Sequence, residues 1–97
     1  MNRVLLGTVS GSLPATSGSG GNDFPRSFSI VNIPNYESLT NNNFFLDFTY
    51  IDVVNGCFQL AKSISKSGAT VTVYLANGHY CPRGGVTSVT ANLYVVY

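Results

Sequence analysis

The stretch from Phe44 to Ile64 limits the possible folds more than any other part of this chain. From Phe44 onward, even-numbered apolar residues alternate with odd-numbered residues of mixed polarity, and the pair Asn55-Gly56 follows shortly afterwards. An alternation with a period of two predicts a β-strand, and Asn-Gly is a strong signal for a tight turn between antiparallel strands. We therefore predict that this stretch forms one long β-hairpin.

The register of the hairpin depends on the length of its loop. A two-residue loop would divide the apolar residues between opposite faces, whereas a three-residue loop ending at a left-handed Gly56 keeps them together. The pattern therefore predicts a type I turn followed by a G1 bulge. That register places Leu46 opposite Ile64 and Tyr50 opposite Leu60.

A helix over residues 58–66 is the alternative to the second strand of the hairpin. Gly68 follows this segment at a distance that suits a helix C-cap. We favour the strand and leave the helix open. Four apolar residues also fit the i, i+3, i+4, i+7 spacing of an amphipathic helix: Cys57, Leu60, Ala61 and Ile64.

The composition indicates a single domain that carries very few charges. The 97 residues suffice for one domain, and only 9% of them are charged, against about a quarter in typical domains. Polarity comes from Ser, Thr, Asn and Gly instead, while the Thr, Tyr, Phe and Val content favours strands. A surface with so few charges repels copies of itself only weakly, which suits a chain that packs against neighbours.

Strand patterns recur along the chain between turn residues. Arg3–Val9 is apolar on both faces, which indicates a central strand or one covered by a partner. Residues 35–40 are predicted to form one helical turn, and residues 41–43 a polar connector that tolerates left-handed dihedrals. Six or seven strands without a long helix predict an all-β fold, a single antiparallel β-sandwich or small barrel over residues 1–97. The strands outside the hairpin are Arg3–Val9, Arg26–Ile33, Thr70–Ala76, a short return strand after Asn77-Gly78, and Val86–Tyr97.

The C-terminal strand ends in Leu-Tyr-Val-Val-Tyr, which is apolar on both faces. Chain ends are usually polar and frayed, so this one is predicted to be covered by its own sheet or by a neighbour. The mechanism that we favour is addition of Leu93–Tyr97 to the sheet edge of another subunit. The residues predicted to contact other subunits are Leu93, Tyr94, Val95, Val96, Tyr97, Tyr74 and Leu13.

Residues 10–23 form a low-complexity segment rich in Gly and Ser. Such a segment cannot bury enough apolar surface to offset the entropy lost on ordering. It is either a loop without fixed structure or an arm that orders only against another subunit. Long structureless loops are uncommon in small domains, which keeps the arm hypothesis open.

Cys57, His79 and Cys81 are the residues best suited to metal or nucleophilic chemistry. A closed zinc site needs four ligands and usually has paired C-x-x-C spacing, which this set lacks. A cysteine with His79 could supply a nucleophile and a base, yet no oxyanion hole or orienting carboxylate can be identified. We expect free, partly buried thiols, with a Cys57–Cys81 disulfide as the alternative, and no metal or other cofactor.

Asp47, Asp52 and Glu37 are candidates for the paired carboxylates of a glycoside hydrolase. Asp47 and Asp52 are five positions apart, which puts them on opposite faces of a regular strand. The pair is therefore not expected to act together. With no other clustered polar site in the sequence, we expect that the chain is not an enzyme.

The distribution of charge argues against a nucleic-acid partner. The net charge is +1 and the five cations are scattered, whereas phosphate binding needs a basic stripe. Val4-Leu5-Leu6 is too short for a signal sequence, and no stretch is long and apolar enough to span a membrane. We therefore expect synthesis in a cytoplasm and no membrane partner.

The chain resembles small bacteriophage virion proteins, namely head-decoration or cement proteins and the β-rich domains of fibres and tail accessories. The resemblance lies in the Thr-, Ser-, Asn-, Gly- and Tyr-rich strands, the segments NNNFF and SGSGG, the scarcity of charge, and a start at Met without a signal. It implies a structural subunit of a virion, made in the host cytoplasm. Its partners would be other virion proteins, such as capsid, tail or fibre subunits, and further copies of itself.

The six tyrosines support a second hypothesis, a small adhesin module that binds a carbohydrate or a receptor. Tyrosine gives rigid amphipathic contact area, and it is enriched in binding surfaces. Tyr74 is the best surface candidate because it faces away from Val73 and Leu75, and Tyr36 and Tyr94 are the others. Under the virion hypothesis, by contrast, a small-molecule ligand is not expected.

Overall fold

A computed structural model describes residues 2–13, 24–54, 60–77 and 86–97. Within these ranges the chain has no α-helix, and its regular structure consists of six strands and two short 3-10 turns. The turns, Tyr36–Ser38 and Asn41–Asn43, lie between the second and third strands. The strands are β1 (Arg3–Leu13), β2 (Phe24–Ser29), β3 (Phe44–Val54), β4 (Leu60–Ser67), β5 (Thr70–Asn77) and β6 (Val86–Val96).

The strands form two antiparallel sheets of three strands each. The first sheet has the order β1-β6-β3, and the second has the order β2-β5-β4. The apolar faces of the two sheets share one buried cluster. The predicted all-β antiparallel sandwich is thereby confirmed, and within the described ranges the strands do not close into a barrel.

The predicted hairpin between β3 and β4 is wrong. β3 pairs with β6, so that Leu46 lies opposite Leu93, and β4 pairs with β5, so that Ile64 lies opposite Val73. The stretch Leu60–Ser67 is nevertheless a strand, and the helical alternative is therefore wrong too. The apolar residues of both strands are buried because the two sheets stack face to face. A period-two pattern fits this arrangement as well as it fits two strands paired within one sheet. The predicted type I turn lies outside the described residues.

A hairpin does connect β4 to β5. Ser67 lies opposite Thr70, which leaves Gly68 and Ala69 as a two-residue loop. Gly68 has a φ of 56°, a left-handed conformation that glycine adopts without steric cost. The short loop therefore holds two neighbouring strands of the second sheet in register.

The central strand of the first sheet is β6, and it is paired along both of its edges. Val95 lies opposite Val4 of β1 on one side and opposite Phe44 of β3 on the other. Its inward residues were predicted to share a face, and they do: Val89, Ala91, Leu93 and Val95 are all buried. The C-terminal strand is therefore covered by its own sheet. Addition of Leu93–Tyr97 to a neighbour's sheet is wrong, because no backbone edge is free there.

The central strand of the second sheet is β5. Val71, Val73 and Leu75 have no exposed surface, as the alternation in the sequence predicts. Thr70 and Tyr74 point to the opposite face and are exposed. The central strand of each sheet, β6 or β5, is thus the one with the most regular alternation of buried aliphatic residues.

A β-bulge at Thr49 reverses the orientation of the second half of β3. The register shifts between Phe48, which lies opposite Ala91, and Tyr50, which lies opposite Thr90. Tyr50 therefore points outward and is 53% exposed, although it was predicted to lie on the aromatic inner face. Bulges change which face the following residues occupy, and this one cannot be read from local alternation.

The first strand is an edge of its sheet, so the central position offered for it is wrong, whereas cover by a partner stays a prediction. It packs closely against β2 at Gly7, where an added Cβ atom would lie 2.5 Å from Cε1 of Phe28. The Phe28 ring thus occupies the space that a side chain at position 7 would need. This contact helps to fit the two sheets together, since Phe28 packs against the common core.

The second strand ends earlier than predicted, at Ser29 rather than Ile33. The chain turns there, because the Ile33 backbone N–H donates to the Ile30 carbonyl at 3.0 Å. Ile30 and Ile33 are both buried, whereas Val31 is 56% exposed. The predicted helical turn follows as the 3-10 turn Tyr36–Ser38.

Candidate functional site

The outer face of the second sheet is lined with hydroxyl groups. Three residues from each of its three strands alternate with the buried ones and point away from the core. Eight of these nine side chains carry a hydroxyl group, and none is charged. We call this surface the hydroxyl face; its residues are Pro25, Ser27, Ser29, Ser63, Ser65, Ser67, Thr70, Thr72 and Tyr74.

The hydroxyl face is open to solvent and regular. All of its residues except Thr72 are exposed, and Tyr74 keeps 38% of its surface accessible. At its centre the hydroxyls of Ser27 and Thr72 are hydrogen-bonded at 2.9 Å. Such cross-strand pairs stabilise the sheet.

The outer face of the first sheet has a different character at each end. One end has cross-strand hydrogen bonds between polar side chains, such as Thr8 to Asn92 at 2.8 Å and Ser10 to Thr90 at 3.2 Å. At the other end the Arg3 guanidinium lies 4.2 Å from the centre of the Tyr94 ring. Tyr94 in turn stacks on Phe45, with ring centres 5.3 Å apart. These contacts hold Tyr94 in a fixed orientation.

The predicted contact residues divide between core and surface. Leu93 and Val95 are completely buried in the chain's own core, so they cannot contact another subunit. Tyr94 and Val96 lie half-buried on the outer face of the first sheet, and Tyr97 packs partly against the core. Tyr74 lies on the hydroxyl face. Leu13 is the last residue of β1, opposite Thr87.

Asn41 and Asn43, in the turn Asn41–Asn43, connect the two sheets. The Lys66 backbone N–H, on the free edge of β4, donates to Asn41 Oδ1 at 2.7 Å. Asn43 Nδ2 donates to the Val96 carbonyl at 2.9 Å. β3 begins at Phe44, opposite Val95, so it has no residue that pairs with Val96. Each side chain therefore satisfies a backbone group that its sheet leaves unpaired. The predicted polar connector is thus a 3-10 turn, and the left-handed conformation that asparagine tolerates is found at Asn35, with a φ of 58°.

Replacement of Asn43 by alanine is expected to lower the free energy of unfolding by about 1–2 kcal/mol, because it removes a capping bond and a partly buried hydrogen bond to a backbone carbonyl. The lost bonds are those from Thr40 N–H, at 2.8 Å, and to the Val96 carbonyl. Asn42→Ala is the matched control, since among the described residues only the backbone of Asn42 takes part in a hydrogen bond. Urea unfolding of both variants tests the prediction, and equal losses would contradict it.

A cleft opens on the flank of the sandwich between β3 and β4, the edge strands of opposite sheets. Its volume is about 360 Å³, and the turn at Asn41–Asn43 closes one end. Its apolar wall is formed by Phe44, which is buried, and by the partly buried Leu46 and Ile64. We call it the flank cleft; its polar or more exposed lining residues are Asn41, Asn42, Phe45 and Ser63.

The residues considered for catalysis are not brought together. The bulge at Thr49 puts Asp47 and Asp52 on the same face, which corrects the prediction of opposite faces. Their partners on β6, Asn92 and Ser88, are four residues apart, so the carboxylates lie on the order of 13 Å from one another. An inverting glycosidase needs about 6.5–9.5 Å. The absence of enzymatic activity stays a prediction.

Cys57, His79 and Cys81 lie outside the described residues, as do the turn after Asn77 and residues 14–23. Residues 10–13 belong to β1, so the predicted loop or arm is wrong for these four residues. Within the described ranges, no three His, Cys, Asp or Glu side chains are close enough to hold a metal ion. None of the helical segments found there has the length and apolar character that a membrane-spanning helix needs.

The three tyrosines proposed for ligand binding lie on separate surfaces. Tyr74 is on the outer face of the second sheet, and Tyr94 is on the outer face of the first. Tyr36 lies in the 3-10 turn and packs partly against the core. They do not form one aromatic platform, so a site built on stacking would use one of them alone, and Tyr74 is 38% exposed.

The hydroxyl face and the flank cleft are surfaces that the sequence did not predict. The alternation of Thr70–Asn77 reveals one row of outward hydroxyls, and the serines at 63, 65 and 67 could have revealed a second. The flank cleft offers no comparable signal, because its residues come from two separate segments, 41–46 and 63–64, whose strands belong to different sheets. Comparison of the chain with protein-family models, curated proteins and solved structures finds no match.

Proposed function

We propose that this chain is a non-enzymatic structural subunit of a phage-like virion, which decorates or cements the capsid or serves as a fibre or tail accessory. The observation that carries the proposal is the hydroxyl face, an exposed sheet surface without a charged side chain. The chain would be made in the host cytoplasm and would contact other virion proteins and further copies of itself.

The chemistry of the hydroxyl face suits contact with a second copy. Burying a charged side chain in an interface costs several kcal/mol unless it is paired, and this face has none to bury. A hydroxyl group both donates and accepts hydrogen bonds, so two copies of the face are complementary to each other. The low charge of the whole chain, 9% of residues, adds little repulsion between copies.

The size of the hydroxyl face favours repeated contacts over an isolated dimer. Three strands about 4.8 Å apart, each with some five residues at about 3.4 Å, cover on the order of 200 Å². A stable pairwise interface buries about 800 Å² on each partner. One such contact is therefore weak, and many simultaneous contacts in a symmetric particle would make it effective.

The contact would be made through sheet faces and not through the C-terminal strand. β6 is paired on both sides, whereas the hydroxyl face has no partner among the described residues. The adhesin alternative would rest on a single tyrosine, because Tyr36, Tyr74 and Tyr94 lie on separate surfaces. We therefore prefer the structural role.

Light scattering over a concentration series tests whether the hydroxyl face mediates self-association. We expect the apparent mass to rise above the 10.4 kDa of one chain as the concentration approaches about 1 mM, a weak affinity that suits the small face. Thr72→Lys places an unpaired charge at the centre of the face and should keep the chain monomeric. Asn32→Lys adds the same charge on an exposed turn and should associate like the wild type. A wild type that stays monomeric throughout, or a Thr72→Lys variant that associates normally, contradicts the proposed contact.

A further inference from the structure

The lining of the flank cleft combines apolar and neutral polar groups. Buried Phe44 and the partly buried Leu46 and Ile64 form its apolar wall, while Asn41, Asn42 and Ser63 are exposed. None of the lining residues that the structure describes carries a charge. The volume of about 360 Å³ falls within the range of about 300–1,000 Å³ typical of small-ligand sites.

Several polar groups of the flank cleft are available to a ligand. The Asn41 amide is held in one orientation, because Lys66 N–H donates to its Oδ1 at 2.7 Å. Its Nδ2 has no acceptor among the described residues. Within those same ranges, the Asn42 side chain and the Ser63 hydroxyl form no hydrogen bond either. These groups supply both donors and acceptors around one opening, as a ligand with many hydroxyl groups requires.

The cleft also presents an aromatic ring that is fixed in place. Phe45 is half-buried and stacks on Tyr94, with an angle of 19° between the ring planes. Arg3 lies 5.4 Å from the centre of the Phe45 ring. An aromatic ring that is already ordered offers apolar contact area without a further loss of side-chain entropy.

The edge of β4 is poorly suited to an added peptide strand at this point. The Lys66 N–H, which a pairing strand would need, already donates to Asn41 Oδ1. The free polar groups are side-chain amides and a hydroxyl, which suit the hydroxyl groups of a sugar better than a β-ladder. We propose that the flank cleft binds a neutral carbohydrate, with Asn41, Asn42 and Ser63 as hydrogen-bonding residues and Phe45 as the apolar contact. This site does not depend on the virion role.

NMR titration of the ¹⁵N-labelled full chain with cellotetraose, maltotetraose and N-acetylchitotetraose tests the proposal. We expect at least one sugar to cause saturable shifts at the Asn42 side-chain amide and at the backbone amides of Phe45 and Ser63, with a Kd of about 0.1–10 mM. Asn42→Ala should weaken binding by about fivefold, which corresponds to one lost hydrogen bond. Because the Asn42 side chain has no partner within the described residues, this change leaves the fold intact.

Two variants serve as controls for this titration. Ser63→Ala should weaken binding, whereas Ser65→Ala, two positions along the same strand and on the same face, should not. An extended peptide of alternating Thr and Val is titrated in parallel. The proposal is overturned if none of the three sugars shifts the cleft residues saturably, if the peptide alone does so, or if Asn42→Ala binds as tightly as the wild type.

Discussion

Removal of residues 93–97 is expected to abolish folding. The deletion takes away the partners of Val4 and Leu5 on one side of β6 and of Phe44 and Phe45 on the other. It also removes Leu93 and Val95, two side chains with no exposed surface. Each such core truncation costs about 2–5 kcal/mol, and a domain of this size has only about 5–15 kcal/mol in total. Far-UV circular dichroism and the dispersion of an amide NMR spectrum measure the outcome.

The deletion also distinguishes two explanations of the apolar C-terminus: that it is part of the chain's own core, or that it serves only as a contact with another subunit. A segment that served only as a contact with another subunit would leave the monomer folded when removed. Val96→Ala is the control, because Val96 points to the outer face and its loss should cost less than about 1.5 kcal/mol. A truncated chain that retains a dispersed spectrum would falsify the central position of β6.

Replacement of Gly7 by alanine is expected to destabilise the chain by about 1–3 kcal/mol. At an unrestricted strand position the same change would stabilise by roughly 0.5–1 kcal/mol, because glycine loses the most entropy on folding. Here the new Cβ atom would lie 2.5 Å from Cε1 and 3.0 Å from Cδ1 of Phe28. The ring must move within a packed core, which costs energy. For a domain of this size, the loss corresponds to roughly 4–8 °C in Tm for each kcal/mol.

A double-mutant cycle tests whether the loss of stability in Gly7→Ala comes from the clash with the Phe28 ring. Phe28→Leu removes the atoms that clash, so Gly7→Ala should be nearly neutral in that background. The expected coupling free energy is at least about 1 kcal/mol, measured by urea unfolding of the four proteins. Additive effects would show that β1 and β2 do not meet at this point.

The fold class could be predicted because it depends on local information. Period-two alternation is sufficient to place Val71, Val73 and Leu75 inward, and Val89 to Val95 likewise. The same alternation cannot tell which strands are neighbours, because an apolar face can be buried by pairing or by stacking. The strong Asn-Gly turn signal therefore led to a β3–β4 hairpin, whereas the two strands belong to different sheets.

Single-residue irregularities explain most of the remaining errors. The bulge at Thr49 adds one residue to β3, which turns Tyr50 outward and puts Asp47 and Asp52 on one face. A second register shift occurs in β1 between Leu5 and Gly7, next to the Phe28 contact. Bulges respond to tertiary packing, so neither is visible in local propensity.

The candidate surfaces were predicted only in part. Tyr74 was correctly expected at the surface, but the hydroxyl face around it needs the β2-β5-β4 order. The flank cleft requires knowing that β3 and β4 are edges of opposite sheets, which no spacing in the sequence reveals. The roles of Asn41 and Asn43 also depend on partners 25 and 53 residues away along the chain.

The copy number of this chain in purified particles is the most direct test of the proposed structural role. Particles from the culture that makes the chain are banded in a density gradient, and quantitative mass spectrometry measures its ratio to the major coat protein. We predict a constant ratio across the particle peak that persists after a wash with about 1 M salt, because contacts without charges are not screened. A chain that remains in the soluble fractions, with none in the particle peak, would contradict the structural role.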